Sequence, residues 1–232
     1  MDEKSAEGRG LILILMLIFG LAVWYKFGIP LPDGASSGQD REEWLYGGTE
    51  VSDYLDQTTY SSNGDRDGDG ISDAQDILNN ARAYLSTEPS YESRYYESGY
   101  PDDGYGVCTD VIAFALRGAG FDLMELLNQN VKNNPGAYEI EVPDKCIDFR
   151  RVQNQITYFR NTATSLTVNI YDTSEWQPGD IVAWEDHIAI ISDKRNSEGI
   201  PYVLHHSREW QDVYEEDVLE DKGDIIGHYR VK

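Results

Sequence analysis

The sequence predicts an α+β domain in which helices pack on an antiparallel sheet, and two patterns indicate this class. Residues 111–119 carry apolar side chains at helical spacing, which predicts an amphipathic helix that ends at Gly118 and Gly120. Short apolar runs with β-branched residues, typical of buried strands, follow at 180–184, 187–192 and 202–206. A helix followed by consecutive strands is typical of α+β domains.

Length and charge limit the class of function. The chain has 232 residues, of which 40% are apolar, and this suffices for one packed domain with appendages. It carries 19 basic and 42 acidic residues, for a formal net charge of −23. So acidic a surface argues against nucleic acid as a partner and against adhesion to anionic membranes or wall polymers.

The N-terminal part is typical of a membrane anchor. Residues 11–25 contain no charge and, at about 1.5 Å per residue, span roughly 22 Å. Extension to residue 29 brings the helix closer to the roughly 30 Å of a hydrocarbon core. Trp24 suits the interface, and Lys26 can reach the headgroups. We therefore expect a single-pass transmembrane helix over residues 11–29.

A cleaved signal peptide is the alternative, but Gly20-Leu21-Ala22 is a poor cleavage site because it lies inside the apolar run. Lys4 and Arg9 predict a cytoplasmic N-terminus over residues 1–10. In either case the domain is exported, which predicts a cell-membrane protein with its domain on the extracytoplasmic side.

Residues 30–62 are rich in turn formers and acids without periodicity, which predicts an acidic linker. A metal-binding loop is predicted at 63–76, and the globular domain at 74–232.

The loop matches the spacing of an EF-hand calcium loop. Calcium takes six to eight oxygen ligands, and alternating carboxylates around a glycine turn bring them together. The predicted ligands are the side chains of Asp65, Asp67, Asp69, Asp73 and Asp76 and the carbonyl of Ile71. No helix is predicted before the loop, so we expect a structural Ca²⁺ rather than a sensor. The alternative is an acidic cap on a surface helix.

A glycine-rich turn, residues 104–107, leads into Cys108 at the start of the predicted helix. Helix N-termini favour a thiolate, which predicts a lowered pKa and a nucleophilic Cys108. A cysteine nucleophile requires a base and a group that orients the base. His187 begins a predicted strand and is the candidate base. His205 and His206 end another strand on opposite faces, so only one of them can meet His187.

Six ordered segments resemble the signature blocks of one bacterial family, the domain of unknown function 1287. They are 99–101, 106–111, 147–152, 176–180, 187–190 and 227–230. The family resembles a branch of the NlpC-type cell-wall peptidases and amidases. The resemblance implies a papain-like fold over about residues 70–232 and a triad of Cys108, His187 and His205.

Four residues are candidates for substrate contacts. In an NlpC-like cleft, a tyrosine upstream of the nucleophile, Tyr100 or Tyr105, can donate its hydroxyl to the substrate carbonyl or to the thiolate, and aromatic packing is the alternative. Arg150 and Arg151 can receive a substrate carboxylate, and a structural ion pair is the alternative.

Two further possibilities concern the cysteines and metals. Cys146 could form a disulfide with Cys108, but we expect it to be free because the surroundings of Cys108 favour reactivity. A zinc site that uses Cys108, His187, His228 and either His205 or His206 matches no spacing of closed zinc sites. We therefore expect no cofactor for catalysis and a structural His228.

These features predict a membrane-anchored cysteine hydrolase that cleaves amide or peptide bonds, with peptidoglycan stem peptides as the substrate by analogy with NlpC-type enzymes. Two alternatives remain open. One is a calcium-stabilised, non-catalytic binding module at the cell surface. The other is an acyltransferase that uses the same triad.

Overall fold

The protein is described here from a computed structural model, which describes residues 64–232. The predicted N-terminus, transmembrane helix and acidic linker lie outside the described residues. Within 64–232, none of the helices combines the length and the apolar character that a membrane span requires.

The described part of the chain has a mixed α+β fold, as the sequence predicts. Its α-helices are α1 (Asp73–Leu85), α2 (Cys108–Gly118), α3 (Leu123–Asn133), α4 (Lys145–Asp148) and α5 (Val152–Thr162), with a 3₁₀ turn at Pro135–Ala137. Its strands are β1 (Ser90–Tyr91), β2 (Tyr105–Gly106), β3 (Thr164–Ser165), β4 (Ile181–Ala183), β5 (Ile188–Arg195), β6 (Pro201–Leu204), β7 (Glu215–Glu216) and β8 (Gly227–Arg230).

Six of these strands form one antiparallel sheet in the order β3-β8-β4-β5-β6-β7. Strands β1 and β2 form a separate parallel pair. The three apolar runs of the sequence become β4, β5 and β6, which confirms the prediction of an antiparallel sheet. Their continuous apolar character follows from burial on both faces of the sheet.

Successive residues of the central strands point to opposite faces and enter different cores. Ile181, Ile188 and Ile190 pack with the helices, whereas Val182 and Ala189 pack on the other face. The second core is completed by side chains from the loops that cover this face, chiefly Trp176, Ile200 and Leu219.

Helix α2 packs on both α1 and strand β5 of the sheet. Its residues Val111, Ile112 and Ala115 are fully buried in the helix-side core, as their spacing predicts. Helix α1 approaches both ends of α2 so closely that a Cβ at Gly106 would overlap the Tyr84 hydroxyl, and one at Gly118 would overlap Asn80. The two glycines therefore allow the close packing that positions the first turn of α2.

Candidate active site

Cys108 is the first residue of α2, where the helix meets the start of β5. The side chain of Asp110 closes the helix start by accepting a hydrogen bond from the Val107 N–H at 2.8 Å. Backbone N–H groups of Ile188 and Thr109 hydrogen-bond the cysteine sulfur. Ile188 directly follows His187, so this contact brings the candidate nucleophile beside the strand that carries the candidate base.

Burial raises the pKa of the Cys108 thiol to about 11, and the residue is only 5% exposed. The hydrogen bonds from Ile188 and Thr109 and the charge of Lys222 lower the pKa, but they offset only part of the effect of burial. The predicted low pKa is therefore not found, because the loss of solvent around the thiol outweighs the stabilisation of a thiolate at a helix start. The resting group is a thiol.

His187 lies at the start of β5 and is nearly completely buried. Its Nε2 lies 2.9 Å from Nδ1 of His205, the residue that follows β6. Burial lowers the pKa of His187 to about 2, and the positive charge of Lys222 adds to the shift. His187 is therefore neutral at neutral pH.

His205 connects His187 to a carboxylate. Its Nε2 lies 2.8 Å from Oε2 of Glu216 in β7, and Glu216 also pairs with Arg208 at 3.0 Å. Burial lowers the pKa of His205 to about 4, against the opposing effect of Glu216. Partial burial favours the neutral form of Glu216, but its hydrogen bonds from Arg208 and His205 hold its pKa below the usual value.

A carboxylate accepts hydrogen bonds, so Glu216 assigns the proton of neutral His205 to Nε2. Nδ1 of His205 then accepts a hydrogen bond, and Nε2 of His187 carries the donating proton. This leaves the Nδ1 lone pair of His187 as its proton acceptor. These proton positions on His205 and His187 follow from the order of the hydrogen bonds that begins at the Glu216 carboxylate.

His206 has different neighbours from His205. Its ring contacts Tyr91 and Tyr214 edge-on, with centroid distances of 4.9 and 5.3 Å. Its buried Nδ1 has no hydrogen-bond partner among residues 64–232. Of the two histidines that the sequence left open, the structure brings His205 to His187.

Two residues near the site were missed by sequence reasoning. Tyr91 interacts electrostatically with Cys108, and burial raises the pKa of its phenol. Lys222 is half-buried, and its charge acts on Cys108, His187 and His205. Tyr91 belongs to the tyrosine-rich stretch before Cys108, which was a usable signal. Lys222 lies in a turn with no sequence motif.

The two tyrosines that were predicted to contact substrate, Tyr100 and Tyr105, interact with other side chains of the domain. The Tyr100 hydroxyl donates to Asp122 at 3.1 Å, and its ring packs on Phe114 and Phe149. The Tyr105 ring lies 3.2 Å from the guanidinium carbon of Arg94. These contacts correspond to aromatic packing, and Tyr91 is the tyrosine that lies near the nucleophile.

The two predicted arginines also differ from each other. Arg150 is buried and forms a two-pronged ion pair with Asp110, with distances of 2.6 and 2.9 Å, so its guanidinium supports the first turn of α2. Arg151 is exposed and lines a groove.

This groove, of about 940 Å³, runs along residues within 137–160 and reaches Glu185 and Asp186. Gln153 donates a hydrogen bond to the Glu185 carbonyl and so ties α5 to the turn that precedes His187. The groove thus ends at the turn that leads to the candidate base.

Three of the predicted calcium ligands lie together in the loop before α1. Carboxylate oxygens of Asp65, Asp67 and Asp69 lie within 4.8 Å of one another. Asp73 accepts a hydrogen bond from the Arg66 N–H at 2.8 Å. Asp76 is buried, and burial together with the charges of the neighbouring aspartates raises its pKa. Ile71, the predicted carbonyl ligand, is exposed within the loop.

The remaining cysteine and histidine do not join the site. Cys108 and Cys146 are both free, and the Cys146 thiol donates to the Glu97 carbonyl. His228 stacks on Trp176 at 3.8 Å and pairs with Asp180 at 3.0 Å. The structure therefore gives His228 its own buried network, and the zinc arrangement is not formed.

The fold and the site define the protein as an α+β domain with a buried cysteine at a helix start and a His-His-Glu series on the adjoining sheet. The chain belongs to the family described as Domain of unknown function (DUF1287), which matches residues 78–231. It is 34% identical over 168 residues to the Uncharacterized protein YijF of Escherichia coli (strain K12). The matched region covers 66% of this chain and 80% of that protein. No solved structure matches the chain.

The family assignment confirms the resemblance seen in the sequence. The aspartate-rich loop precedes the matched region. The further relation to NlpC-type peptidases stays a prediction.

Proposed function

We propose that the protein is a cysteine hydrolase with a papain-like, NlpC-type domain, in which Cys108 is the nucleophile, His187 the base and His205 the orienting residue. The observation that carries the proposal is the hydrogen-bonded series from His187 through His205 to Glu216, next to a cysteine at a helix start. A buried series of this kind has a cost in desolvation that a purely structural role does not require.

The chemistry follows from the neutral pair of thiol and imidazole. As the Cys108 sulfur attacks a substrate carbonyl carbon, the thiol proton passes to Nδ1 of His187. Backbone N–H groups in the first turn of α2 stabilise the oxyanion. Collapse of the intermediate breaks the C–N bond, His187 returns its proton to the leaving amine, and a thioester remains on Cys108.

Hydrolysis completes the cycle. His187 takes a proton from a water molecule, whose oxygen attacks the thioester carbonyl. The C–S bond breaks, the carboxylic acid leaves, and the proton returns to the sulfur. Glu216 stabilises each transient imidazolium through His205, as the carboxylate of a triad does.

For the substrate we propose amide bonds of peptidoglycan stem peptides, which lie outside the membrane that residues 11–29 are predicted to span. The groove that ends beside Glu185 and Asp186 supports a peptide of mixed charge. It contains the cations Arg151 and Arg160 together with several carboxylates, which suit substrate carboxylates and amines respectively.

The test compares the full chain with Cys108→Ala and His187→Ala on purified peptidoglycan, with released fragments measured by mass spectrometry. We expect amide cleavage by the wild type and none by either variant. Addition of water to the product, rather than of a second acyl acceptor, distinguishes hydrolysis from acyl transfer. Identical fragments from wild type and Cys108→Ala would refute the assignment.

A non-catalytic binding module is the second candidate. It is favoured by the deep burial of Cys108 and by the position of the groove, whose lining residues do not include Cys108. This candidate predicts that wild type and Cys108→Ala are retained equally on wall material, and that neither releases fragments.

A further inference from the structure

A second cluster of ionisable groups lies outside the His187–His205–Glu216 series, in the loop before α1. Three exposed aspartates, Asp65, Asp67 and Asp69, bring their carboxylate oxygens within 4.8 Å of one another. Backbone N–H groups orient two of these side chains: Gly68 donates to Asp65 at 2.8 Å, and Ile71 donates to Asp69 at 2.8 Å. Exposed acidic clusters are common, so this grouping alone does not indicate a ligand.

Asp76 provides an independent observation. It lies in the first turn of α1, is only 6% exposed, and its Oδ2 has no hydrogen-bond partner in the described part of the chain. The charge of this side chain interacts with those of Asp65, Asp67, Asp69 and Asp73. The unpartnered carboxylate of Asp76 is repelled by these four carboxylates, and a bound cation would relieve this repulsion.

We propose that this cluster binds one Ca²⁺ through the side chains of Asp65, Asp67, Asp69, Asp73 and Asp76 and the carbonyl of Ile71, and that the ion fastens the loop to α1. All the donors are hard oxygens, and their number suits calcium better than magnesium, which prefers a smaller octahedral shell with several waters. The exposed carboxylates of Asp65, Asp67 and Asp69 also suit the variable coordination of calcium.

The loop is attached to the rest of the domain at points that give the ion a structural consequence. Arg66 donates to the Gly120 carbonyl at 3.0 Å, and its guanidinium lies 4.5 Å from the centre of the Phe121 ring, just beyond the end of α2. At the other end of the loop, Ala74 in α1 touches Gly179 closely. Since α1 packs on α2, the bound ion stabilises the layer that supports the helix of Cys108.

The proposal is tested on the full chain by calorimetric titration with CaCl₂ and by thermal unfolding in CaCl₂ or chelator, at matched ionic strength. We expect one ion per chain and a higher Tm in calcium, because binding to the folded state alone stabilises it. Absence of both binding heat and a Tm shift at millimolar calcium would overturn the proposal. An equal response to MgCl₂ would overturn the choice of calcium.

Asp76→Asn gives a sharper test because the expected change in Tm has opposite signs in chelator and in calcium. In chelator the variant should melt above the wild type, since it removes an unpartnered buried charge. In calcium it should melt below the wild type, with affinity lower by at least about tenfold. Asp102→Asn, an exposed change outside the loop, serves as the matched control and should follow the wild type in both conditions. A calcium response of Asp76→Asn equal to that of the wild type would contradict the proposed ligand set.

Discussion

Nε2 of His187 lies 2.9 Å from Nδ1 of His205, so two neutral imidazoles are joined directly in the buried site. A histidine is an unusual orienting group because it can donate or accept through the same nitrogen. The direction of this hydrogen bond therefore depends on the next residue, Glu216, whose carboxylate accepts from the far nitrogen of His205.

The first prediction concerns Glu216→Gln. An amide can donate to Nε2 of His205, which would reverse the hydrogen bond to His187 and place a proton on the nitrogen that must accept one. We expect kcat for amide cleavage to fall by up to about 10⁴-fold, the loss that follows when the carboxylate of a Ser-His-Asp triad becomes an amide. Asp212→Asn, an exposed acid nearby in sequence, is the control and should retain activity. Full activity of Glu216→Gln would show that Glu216 does not set the tautomer.

The adjacent histidines provide a second prediction. His205→Ala should lower kcat about 10²-fold or more, because His187 loses the partner that fixes its ring. His206→Ala should retain most of the activity, because its ring contacts Tyr91 and Tyr214 instead. Circular dichroism and Tm identify any loss that reflects unfolding. The reverse order of activities would transfer the orienting role to His206.

The third prediction is the pH dependence of Cys108 alkylation by iodoacetamide. Because only the thiolate reacts, a thiol with a pKa of about 11 should react roughly tenfold faster per pH unit from pH 7 to 10. Lys222→Met should slow the reaction at each pH in this range, since the lysine charge lowers the thiol pKa. Mass spectrometry separates Cys108 from Cys146, which is the internal control. A rate plateau below pH 8 would instead indicate an activated thiolate.

Acid stability is the fourth prediction. The pKa values of His187 and His205 are lowered from 6.5 to about 2 and about 4 on folding, so the unfolded chain binds protons first as the pH falls. Each histidine therefore reduces the free energy of unfolding by about 1.4 kcal/mol per pH unit below about pH 6.5. His205 contributes to this loss down to about pH 4.

Urea denaturation at pH 7 and pH 5 measures this effect. Between pH 7 and pH 5, the free energy of unfolding should fall by about 2 kcal/mol more for the wild type than for His205→Gln, since the variant lacks one of these two histidines. Equal losses would mean that folding does not lower the pKa of His205.

The fifth prediction concerns the buried ion pair between Asp110 and Arg150. Arg150→Met leaves Asp110 as an uncompensated charge under the first turn of α2, and we expect a loss of about 3–5 kcal/mol in unfolding free energy. Urea denaturation measures it. Arg151→Met, an exposed neighbour, should change stability by less than about 0.5 kcal/mol. A small effect of Arg150→Met would indicate that the pair contributes little to the folded state.

The sequence by itself determined the secondary structure around the site and the family. Helix α2 and strands β4 to β6 could be predicted because apolar periodicity reflects burial of residues close together in the chain. Cys108 and His187 could be selected as candidates from the motifs that contain them. The spacing of an EF-hand calcium loop identified the aspartate cluster before α1.

Only the tertiary structure decided which partners these residues have. The choice of His205 over His206 depends on the direction in which each side chain points after β6, and Glu216 and Lys222 reach the site through strand and turn positions that no local pattern indicates. Arg150 likewise pairs with a residue 40 positions away. The raised pKa of Cys108 has the same origin, since burial depends on the segments that cover the thiol, whereas the helix start is a local feature.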